Sequence, residues 1–209
     1  MFKKYISNKI IPVAVVENEE ELRVIADLAS EYLPAIELTM RTEYAYKALE
    51  VLAKDYPNLA RAAATVISPE QADRILDLGT NVIISPGFQP VMLEHAKKKN
   101  YDYIPGVATP AELEQCLAYG YRYIKFFHAG VFGGIEWLKG ISSVYSHTGV
   151  KFMPLGGVSV DNVMEYLKQP NVFACGGSWL CSRDLLSSKN WAEIKKRFEK
   201  ASNLIKEMK

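Results

Sequence analysis

Residues 60–85 read ARAAATVISPEQADRILDLGTNVIIS, and this stretch contains one complete strand–helix–strand unit. The opening run of alanines and β-branched residues predicts a buried strand. Ser68 followed by Pro69 is typical of a helix start, because the first helical position needs no amide donor. Gly79 marks the helix end, and residues 81–85, with the apolar run 82–84, predict the next strand. The unit therefore predicts two parallel strands joined by a helix.

The same alternation extends along the whole chain. The predicted strands are 10–16, 35–40, 60–66, 81–85, 101–107, 121–127, 150–155 and 171–176. The predicted helices are 19–31, 43–54, 69–78, 90–99, 110–119, 134–146, 160–169 and 191–208. Strict alternation indicates a parallel sheet covered by helices, and eight units favour a closed barrel over an open sheet. We therefore predict the α/β class, with residues 1–209 forming a single (β/α)8 TIM barrel.

Composition excludes several classes of partner. Among 209 residues, 25 Lys and Arg balance 24 Asp and Glu, so the net charge of +1 provides no footprint for nucleic acid. No apolar stretch reaches the roughly 20 residues needed to span a membrane, and the first ten residues, MFKKYISNKI, are too polar for a signal peptide. Cys116, Cys175 and Cys181 lack CxxC spacing, which suits a reducing compartment. We expect a cytoplasmic protein without nucleic-acid or membrane partners.

A lysine lies in the apolar end of one predicted strand, where residues 121–127 read YRYIKFF. In (β/α)8 barrels the chemistry lies at the carboxyl ends of the strands. Burial of Lys125 disfavours its charged form, and a neutral amine is the nucleophile that Schiff-base chemistry requires. Taken alone, the spacing favours the alternative, a lysine that reaches solvent from the strand end.

Strand 35–40 and the residue after it carry a second polar group of side chains. Side chains alternate across a strand, so Glu37, Thr39 and Arg41 share one side and apolar residues occupy the other. The apolar side suits the helix layer, which directs Glu37 and Arg41 toward the barrel axis and mouth. A carboxylate there is a candidate proton shuttle, and a guanidinium is a candidate fork for a substrate carboxylate. A purely structural Glu37–Arg41 ion pair is an equally good interpretation.

Glycine pairs close the last two predicted strands: Gly156-Gly157, then Gly176-Gly177 followed by Ser178. Backbone amides at such turns bind anions. The loops after the seventh and eighth strands of many barrels hold a phosphate. Tight turns between strand and helix are the alternative explanation, but the presence of both pairs favours a phosphate site.

Two further side chains lie at strand ends. Thr65 offers a hydroxyl where the preceding alanines leave room near the barrel axis, although threonine is common in strands. His128 follows Lys125 at the mouth and is a candidate for substrate contact. His95 and His147 fall on predicted helices, and no histidine lies in a cluster with metal-ligand spacing. We expect neither a metal ion nor a cofactor.

Taken in order, these motifs resemble the KDPG and KHG aldolases, which cleave 2-keto-3-deoxy-6-phosphogluconate and 2-keto-4-hydroxyglutarate. The motifs are IELTMRT at 36–42, TV at 65–66, ISPG at 84–87, PGVAT at 105–109, IKFF at 124–127, GGVS at 156–159 and GGSW at 176–179. The resemblance covers about 12–191 and is specific because the motifs occur as an ordered set. It implies a class I aldolase on a (β/α)8 barrel that assembles as a homotrimer and needs no metal.

The resemblance also implies roles for individual residues. It makes Lys125 the Schiff-base lysine and Glu37 the acid and base. It assigns the pyruvyl carboxylate to Arg41 and Thr65, and it puts Pro86 near the pyruvyl methyl group. The phosphate is expected around the two glycine pairs and the serine that follows the second pair.

The sequence departs from the family pattern near the lysine and at the last strands. The usual Phe-Phe-Pro-Ala-Glu has His128 and Gly130 in place of the proline and the glutamate. Leu155 replaces a threonine, and three alanines, 62–64, replace Gly-Ala-Gly. A site loses selectivity for a hydroxyl when the matching polar group is removed. The departures therefore concern the preferred substrate tail.

We expect cleavage of 2-keto-3-deoxy-6-phosphogluconate to pyruvate and glyceraldehyde 3-phosphate, and also of 4-hydroxy-2-oxoglutarate to pyruvate and glyoxylate. The galactonate epimer of the first substrate is an alternative. A second hypothesis is a metal-free sugar-phosphate isomerase or epimerase, in which Glu37 abstracts a proton and Lys125 is only an electrostatic clamp. A third is a non-catalytic sugar-phosphate-binding protein, for which the losses at Gly130 and Leu155 are the only support. The expected partner is a small phosphorylated 2-keto acid.

Overall fold

The computed structural model describes residues 1–208, in which helices and strands alternate. The strands are β1 Ile10–Ala14, β2 Ala35–Thr39, β3 Ala60–Ala64, β4 Val82–Ile84, β5 Asp102–Ile104, β6 Gly106–Val107, β7 Tyr123–Phe127, β8 Lys151–Leu155 and β9 Cys175–Gly177. The helices are α1 Phe2–Ile6, α2 Glu19–Tyr32, α3 Ala45–Asp55, α4 Pro69–Asp77, α5 Pro90–Lys99, α6 Pro110–Ala118, α7 Gly134–Tyr145, α8 Val163–Leu167, α9 Arg183–Ser187 and α10 Trp191–Lys206. Short 3₁₀ helices occupy Ser146–Thr148 and Ser178–Cys181.

The strands form a curled parallel sheet. Six strands pair in the order β5-β4-β3-β2-β1-β9, so the last strand lies beside the first. A second sheet pairs β6, β7 and β8 in order. The predicted strand 101–107 is divided at Pro105, because proline has no amide to donate to a neighbouring strand. The structure is therefore an α/β fold with a curled sheet in two hydrogen-bonded parts.

Two apolar clusters lie on opposite sides of the curled sheet. The outer cluster packs strand residues such as Ile36 and Leu38 against the helices. The inner cluster lies within the curl and contains Ala62, Met153 and Phe173. Side-chain alternation assigns successive strand residues to opposite faces. The prediction that the apolar side of β2 faces the helix layer is confirmed.

The amino-terminal helix α1 was not expected from the sequence. Phe2, Tyr5 and Ile6 lie at the spacing of one helical face and pack against the inner cluster. Five residues are too few to produce a recognisable helical periodicity, so only tertiary packing stabilises this helix. The helix closes the amino end of the curled sheet and brings Tyr5, which is fully buried, into the interior.

The predicted helix starts at Pro69, Pro90 and Pro110 are confirmed. Ser68 accepts a hydrogen bond from the Gln71 amide at the start of α4. Thr109 and Glu112 form a reciprocal capping box at the start of α6. Helix α8 is shorter than the predicted 160–169. Over residues 1–208, no helix has both the length and the hydropathy needed to cross a membrane.

Candidate active site

A cleft of about 340 Å³ opens at the carboxyl ends of the strands. Seven of the predicted site residues line it: Glu37, Arg41, Thr65, Pro86, Lys125, Gly156 and Ser178. The remaining lining residues are Val13, Thr39, Phe127, His128 and Leu155. Side chains from separate strands thus converge on one concave surface.

The lysine and the carboxylate form a buried pair inside this cleft. Lys125 on β7 is 4% exposed and Glu37 on β2 is fully buried. The Nζ of Lys125 lies 3.6 Å from Oε1 of Glu37 and 5.2 Å from the centre of the Phe127 ring. The alternative of a lysine that reaches solvent is therefore wrong. A separation of 3.6 Å allows proton exchange after a small movement of either side chain.

The two oxygens of Glu37 have different surroundings. Oε2 accepts a hydrogen bond of 3.2 Å from the hydroxyl of Tyr5. Oε1 is buried, has no hydrogen-bond partner within residues 1–208, and is the oxygen nearest Lys125. Burial, followed by the negative charge of Glu37, raises the pKa of Tyr5 well above its ordinary value. Tyr5 is therefore a neutral donor at any working pH, and Oε1 is available to a ligand.

Arg41 lies at the exposed mouth of the cleft. Along the described chain, no ion pair within 4.0 Å joins Arg41 to Glu37. The interpretation as a purely structural Glu37–Arg41 ion pair is therefore wrong. A guanidinium at the mouth of a cleft is suited to bind a carboxylate with two parallel hydrogen bonds.

Thr65 has a left-handed backbone at the cleft wall, with a φ of 62°. A β-branched residue rarely adopts this conformation, which costs on the order of 1–3 kcal/mol. The neighbouring chain holds the turn in place, since the Val66 amide donates to the Ile84 carbonyl at 3.2 Å. Strained backbone is concentrated at functional sites in proteins, so the φ of Thr65 supports a binding role for this turn.

Only one of the four predicted glycines lines the cleft. Gly156 has a φ of 89°, and a Cβ on it would lie 2.6 Å from the ring of His128, so no larger residue fits. Gly157 packs against Gly130, while Gly176 and Gly177 lie behind Leu155 and beside Leu180. The three remain predicted phosphate ligands through their amides. In the described chain, the Gly157 amide has no protein acceptor.

Two of the departures from the family pattern lie in the cleft itself. His128 lines the wall, and its Nδ1 is buried without a partner among the described residues. Leu155 adds an apolar wall, and its side chain fills the space beside Gly176. The part of the cleft beyond Lys125 is therefore bounded by an imidazole and an isobutyl group.

Metal-binding clusters and free thiols are two further kinds of reactive group. Within residues 1–208, no group of three or more His, Cys, Asp and Glu side chains could hold a metal ion. Burial raises the pKa of Cys116 and Cys181 to about 12, and it also raises the pKa of Cys175. These thiols are neutral at physiological pH and are therefore poor nucleophiles.

A larger groove, of about 570 Å³, lies at the other end of the molecule beside Lys9 and Lys206. The described residues that line it include no carboxylate and no buried cation. Size alone therefore does not identify the site; the converging polar side chains of the smaller cleft do.

Known proteins are similar to this chain in sequence and in fold. A family model described as KDPG and KHG aldolase matches residues 3–197. The 2-dehydro-3-deoxy-phosphogluconate aldolase of Haemophilus influenzae is 34% identical over 199 residues, which are 95% of this chain and 93% of that protein. The KHG/KDPG aldolase of Escherichia coli K12 is 35% identical over 188 residues, covering 90% and 87% of the two chains.

A solved structure of an aldolase is also similar to this chain. It is the KDPG aldolase of Legionella pneumophila with pyruvate captured at low pH as a covalent carbinolamine intermediate. It matches with a TM-score of 0.88 at 37% identity and covers 93% of this chain and 94% of that one. The similarity therefore extends over nearly the whole fold.

Proposed function

The chain belongs to the KDPG and KHG aldolase family, and we propose that it cleaves 2-keto-3-deoxy-6-phosphogluconate through a Schiff base on Lys125. The observation that carries the proposal is the buried pair of Lys125 and Glu37 in a cleft of converging polar groups. The similar Legionella pneumophila aldolase, which holds pyruvate as a covalent carbinolamine, supports the same chemistry.

The first step is attack of the Lys125 amine on the C2 ketone of the substrate. The C2–N bond forms, the ketone oxygen takes a proton to give a carbinolamine, and loss of water gives a protonated imine. Glu37 is the nearest carboxylate and accepts the proton that the lysine must lose before it attacks. Its unpartnered Oε1 faces the reacting nitrogen.

The second step breaks the C3–C4 bond. A base removes the C4 hydroxyl proton, and the C4–O bond becomes the C=O double bond of the aldehyde product. The electron pair of the C3–C4 bond moves into the imine to form an enamine. We assign this base to Glu37, directly or through one water. The enamine takes a proton at C3, and hydrolysis releases pyruvate and frees the lysine.

The ends of the substrate are assigned to two parts of the cleft. The carboxylate beside the ketone is bound by Arg41 and Thr65, which line the cleft near Lys125. Pro86 packs near the pyruvyl methyl group; the glycine at position 106 lets the chain approach Pro86, since a Cβ there would lie 2.3 Å from the proline carbonyl oxygen. The phosphate binds at Ser178 and the amides of the two glycine pairs.

The cleft also supports related substrates. Because a short keto acid needs no phosphate site, 4-hydroxy-2-oxoglutarate is a second proposed substrate, giving pyruvate and glyoxylate. The galactonate epimer of the main substrate remains an alternative. Leu155 offers no hydrogen bond to a sugar hydroxyl, so discrimination between epimers is expected to be weak on that wall.

We also propose that the two sheets close into one eight-stranded (β/α)8 barrel within a single domain. Hydrogen bonds across both gaps support this closure. Lys125 donates its amide to the Pro105 carbonyl at 2.9 Å, and Phe173 donates to the Phe152 carbonyl at 3.0 Å. Assembly as a homotrimer, which rests on the family resemblance, and a cytoplasmic location, which rests on the composition and the cysteine pattern, remain proposals.

Reduction of the imine tests this function. Incubation with pyruvate and borohydride should add one reduced pyruvyl group, and digestion should place it on Lys125. The matched control is Lys151→Ala, which removes an exposed lysine of the neighbouring strand β8. Lys125→Ala should abolish the adduct and pyruvate release, whereas Lys151→Ala should change neither.

Three outcomes separate the competing functions. Turnover that continues after borohydride treatment in the presence of substrate would favour an isomerase or epimerase that uses Glu37 alone. Binding of the phosphorylated substrate without pyruvate release would indicate a non-catalytic binding protein. An adduct on Lys125 together with pyruvate release supports the aldolase.

A further inference from the structure

Tyr5 contacts the site from the opposite end of the interior. It belongs to α1, which closes the amino end of the sheet, and its side chain is fully buried. Its hydroxyl reaches the level of the buried carboxylate and donates to Oε2 of Glu37 at 3.2 Å. Among the described residues, the hydroxyl has one further polar contact, with the sulfur of Met153 at 4.0 Å. A helix outside the cleft therefore contributes a hydrogen bond to the proposed acid and base.

The interior has room for this contact because β3 is unusually small on its inner side. Ala60, Ala62 and Ala64 all belong to the inner cluster beside Tyr5. A larger side chain at these positions would occupy the space that the phenol ring fills. The small alanine side chains thus leave space for the phenol ring of Tyr5, and the hydroxyl of that ring reaches Glu37.

We propose that Tyr5 is a positioning residue, whose hydroxyl holds Oε2 of Glu37 so that Oε1 faces Lys125 and the cleft. A carboxylate has two equivalent oxygens, and a hydrogen bond to one of them fixes the rotation of the group. Because Oε2 accepts the hydrogen bond from Tyr5, Oε1 is the oxygen that transfers protons. Oε1 has no hydrogen-bond partner among the described residues. This inference rests on the proposed role of Glu37 in the aldolase reaction.

The charged and titratable groups around Glu37 come from separate parts of the chain. Tyr5 faces it from α1 and Lys125 from β7. Arg41 and His128 line the same cleft without forming an ion pair with Glu37 in the described chain. Of the polar contacts that the described residues make with the Glu37 carboxylate, removal of the tyrosine hydroxyl therefore leaves that of Lys125. A carboxylate that has lost a hydrogen-bond donor takes up a proton more easily.

The test is Tyr5→Phe, which removes one hydroxyl and keeps the ring. We expect kcat for pyruvate release to fall about tenfold, the cost of one hydrogen bond to a charged group. KM should change less than about twofold. The acid limb of the plot of kcat against pH should move about one pH unit to higher pH.

The matched control is Tyr121→Phe, which removes a hydroxyl that donates to the Leu93 carbonyl. It should leave the profile unchanged.

The pH profile distinguishes positioning from simple support of the fold. A fall in kcat that is the same at every pH, or no fall at all, would overturn the proposal. Incorporation of 3-fluorotyrosine at position 5 provides a second test that preserves the packing. Its hydroxyl is a stronger donor, so the acid limb should move in the opposite direction, to lower pH; an unmoved limb would also overturn the proposal.

The borohydride adduct separates this inference from the proposed function. Tyr5→Phe should still trap pyruvate on Lys125, because the amine and its carboxylate neighbour remain. Wild-type protein that forms no adduct contradicts the aldolase itself. Wild-type protein that forms the adduct, with a variant whose profile is normal, contradicts only the role of Tyr5.

Discussion

The two ends of the sheet interior contrast in chemistry. At the amino end, three aromatic rings pack edge to face. The ring centres of Phe2, on α1, and Tyr123 are 5.4 Å apart, and those of Tyr123 and Phe173 are 5.2 Å apart. At the carboxyl end, Glu37 and Lys125 are buried together, and Oε1 of Glu37 has no hydrogen-bond partner among the described residues. The amino end is built from apolar contacts that stabilise the fold. The carboxyl end contains polar groups left available to a ligand.

This contrast teaches where the molecule can tolerate unfavourable groups. A buried ion pair contributes little stability and often less than an apolar replacement would. The backbone strain at Thr65 adds a further cost at the same end. Such a site persists because the surrounding packing is stable enough to hold it. Substitutions at the two ends should therefore separate stability from activity.

The largest expected effect on stability is at the amino end. Phe173→Ala should lower the free energy of unfolding by about 3–4 kcal/mol, because it removes a buried ring that packs against Tyr123 and leaves a cavity. Since Phe173 does not line the cleft, kcat at a temperature where the variant is folded should stay within about twofold of wild type. Urea unfolding and a pyruvate-release assay measure the two quantities.

The control is Phe132→Ala, the same substitution at a side chain that is 48% exposed. It should change the free energy of unfolding by less than about 0.5 kcal/mol. A large loss of kcat in folded Phe173→Ala would contradict the separation of the two ends.

Most of the fold was predictable because its signals are local. Strand and helix periods, proline at helix starts and glycine at helix ends depend on neighbouring residues, and they predicted most elements to within a few residues. The alternation of side chains on β2 also predicted that Glu37 and Arg41 share a side, and both line the cleft. These inferences need no knowledge of the distant chain.

Other features depend on contacts that a sequence does not display. The helix α1 is five residues long, and only its packing against distant strands makes it a helix. Tyr5 was missed as a site residue for the same reason, although the spacing of Phe2, Tyr5 and Ile6 is an apolar helical signal. The split of the strand at Pro105 needed the rule that proline lacks an amide donor, applied to a strand that reads as continuous.

A paired charge close to the ends of β1 and β9 sharpens the comparison. Arg183 after β9 forms two hydrogen bonds of 2.6 and 2.8 Å to the buried carboxylate of Glu21, and it also donates to the Val15 carbonyl. Burial of Glu21 opposes ionisation, but the Arg183 bonds and the Glu17 amide outweigh it and lower the pKa of Glu21 from its ordinary 4.5.

We expect Glu21→Gln to lower the free energy of unfolding by about 1.5 kcal/mol at pH 7, the value of a charge-assisted hydrogen bond. The folded pKa of Glu21 is below the unfolded one, so this stabilisation is complete above pH 4.5 and is lost as pH falls through the lowered folded value. The difference between variant and wild type should therefore shrink in urea unfolding below pH 4.5.

The adjacent residue provides the control. Glu20 pairs with Lys189 at 2.6 Å, but both side chains are more than half exposed. Glu20→Gln should change the free energy of unfolding by less than about 0.5 kcal/mol at either pH. A pH-independent loss in Glu21→Gln would show that the packing of Glu21, and not its charge, stabilises the fold.

The smallest expected effect has the opposite sign. Thr65→Gly relieves a β-branched side chain from a left-handed backbone, but it also gives the unfolded chain more conformational freedom. The relief should exceed this cost, so the free energy of unfolding should rise by about 0.5–1 kcal/mol. If Thr65 binds the substrate carboxylate, KM should rise about tenfold, the value of one such hydrogen bond.

The control is Asn100→Gly. Asparagine tolerates the left-handed backbone that this residue adopts at φ 55°, so the substitution should change the free energy of unfolding by only a few tenths of a kcal/mol. A less stable Thr65→Gly with unchanged KM would mean that the turn serves the fold alone, and the division between a stable amino end and a strained carboxyl end would not hold at this residue.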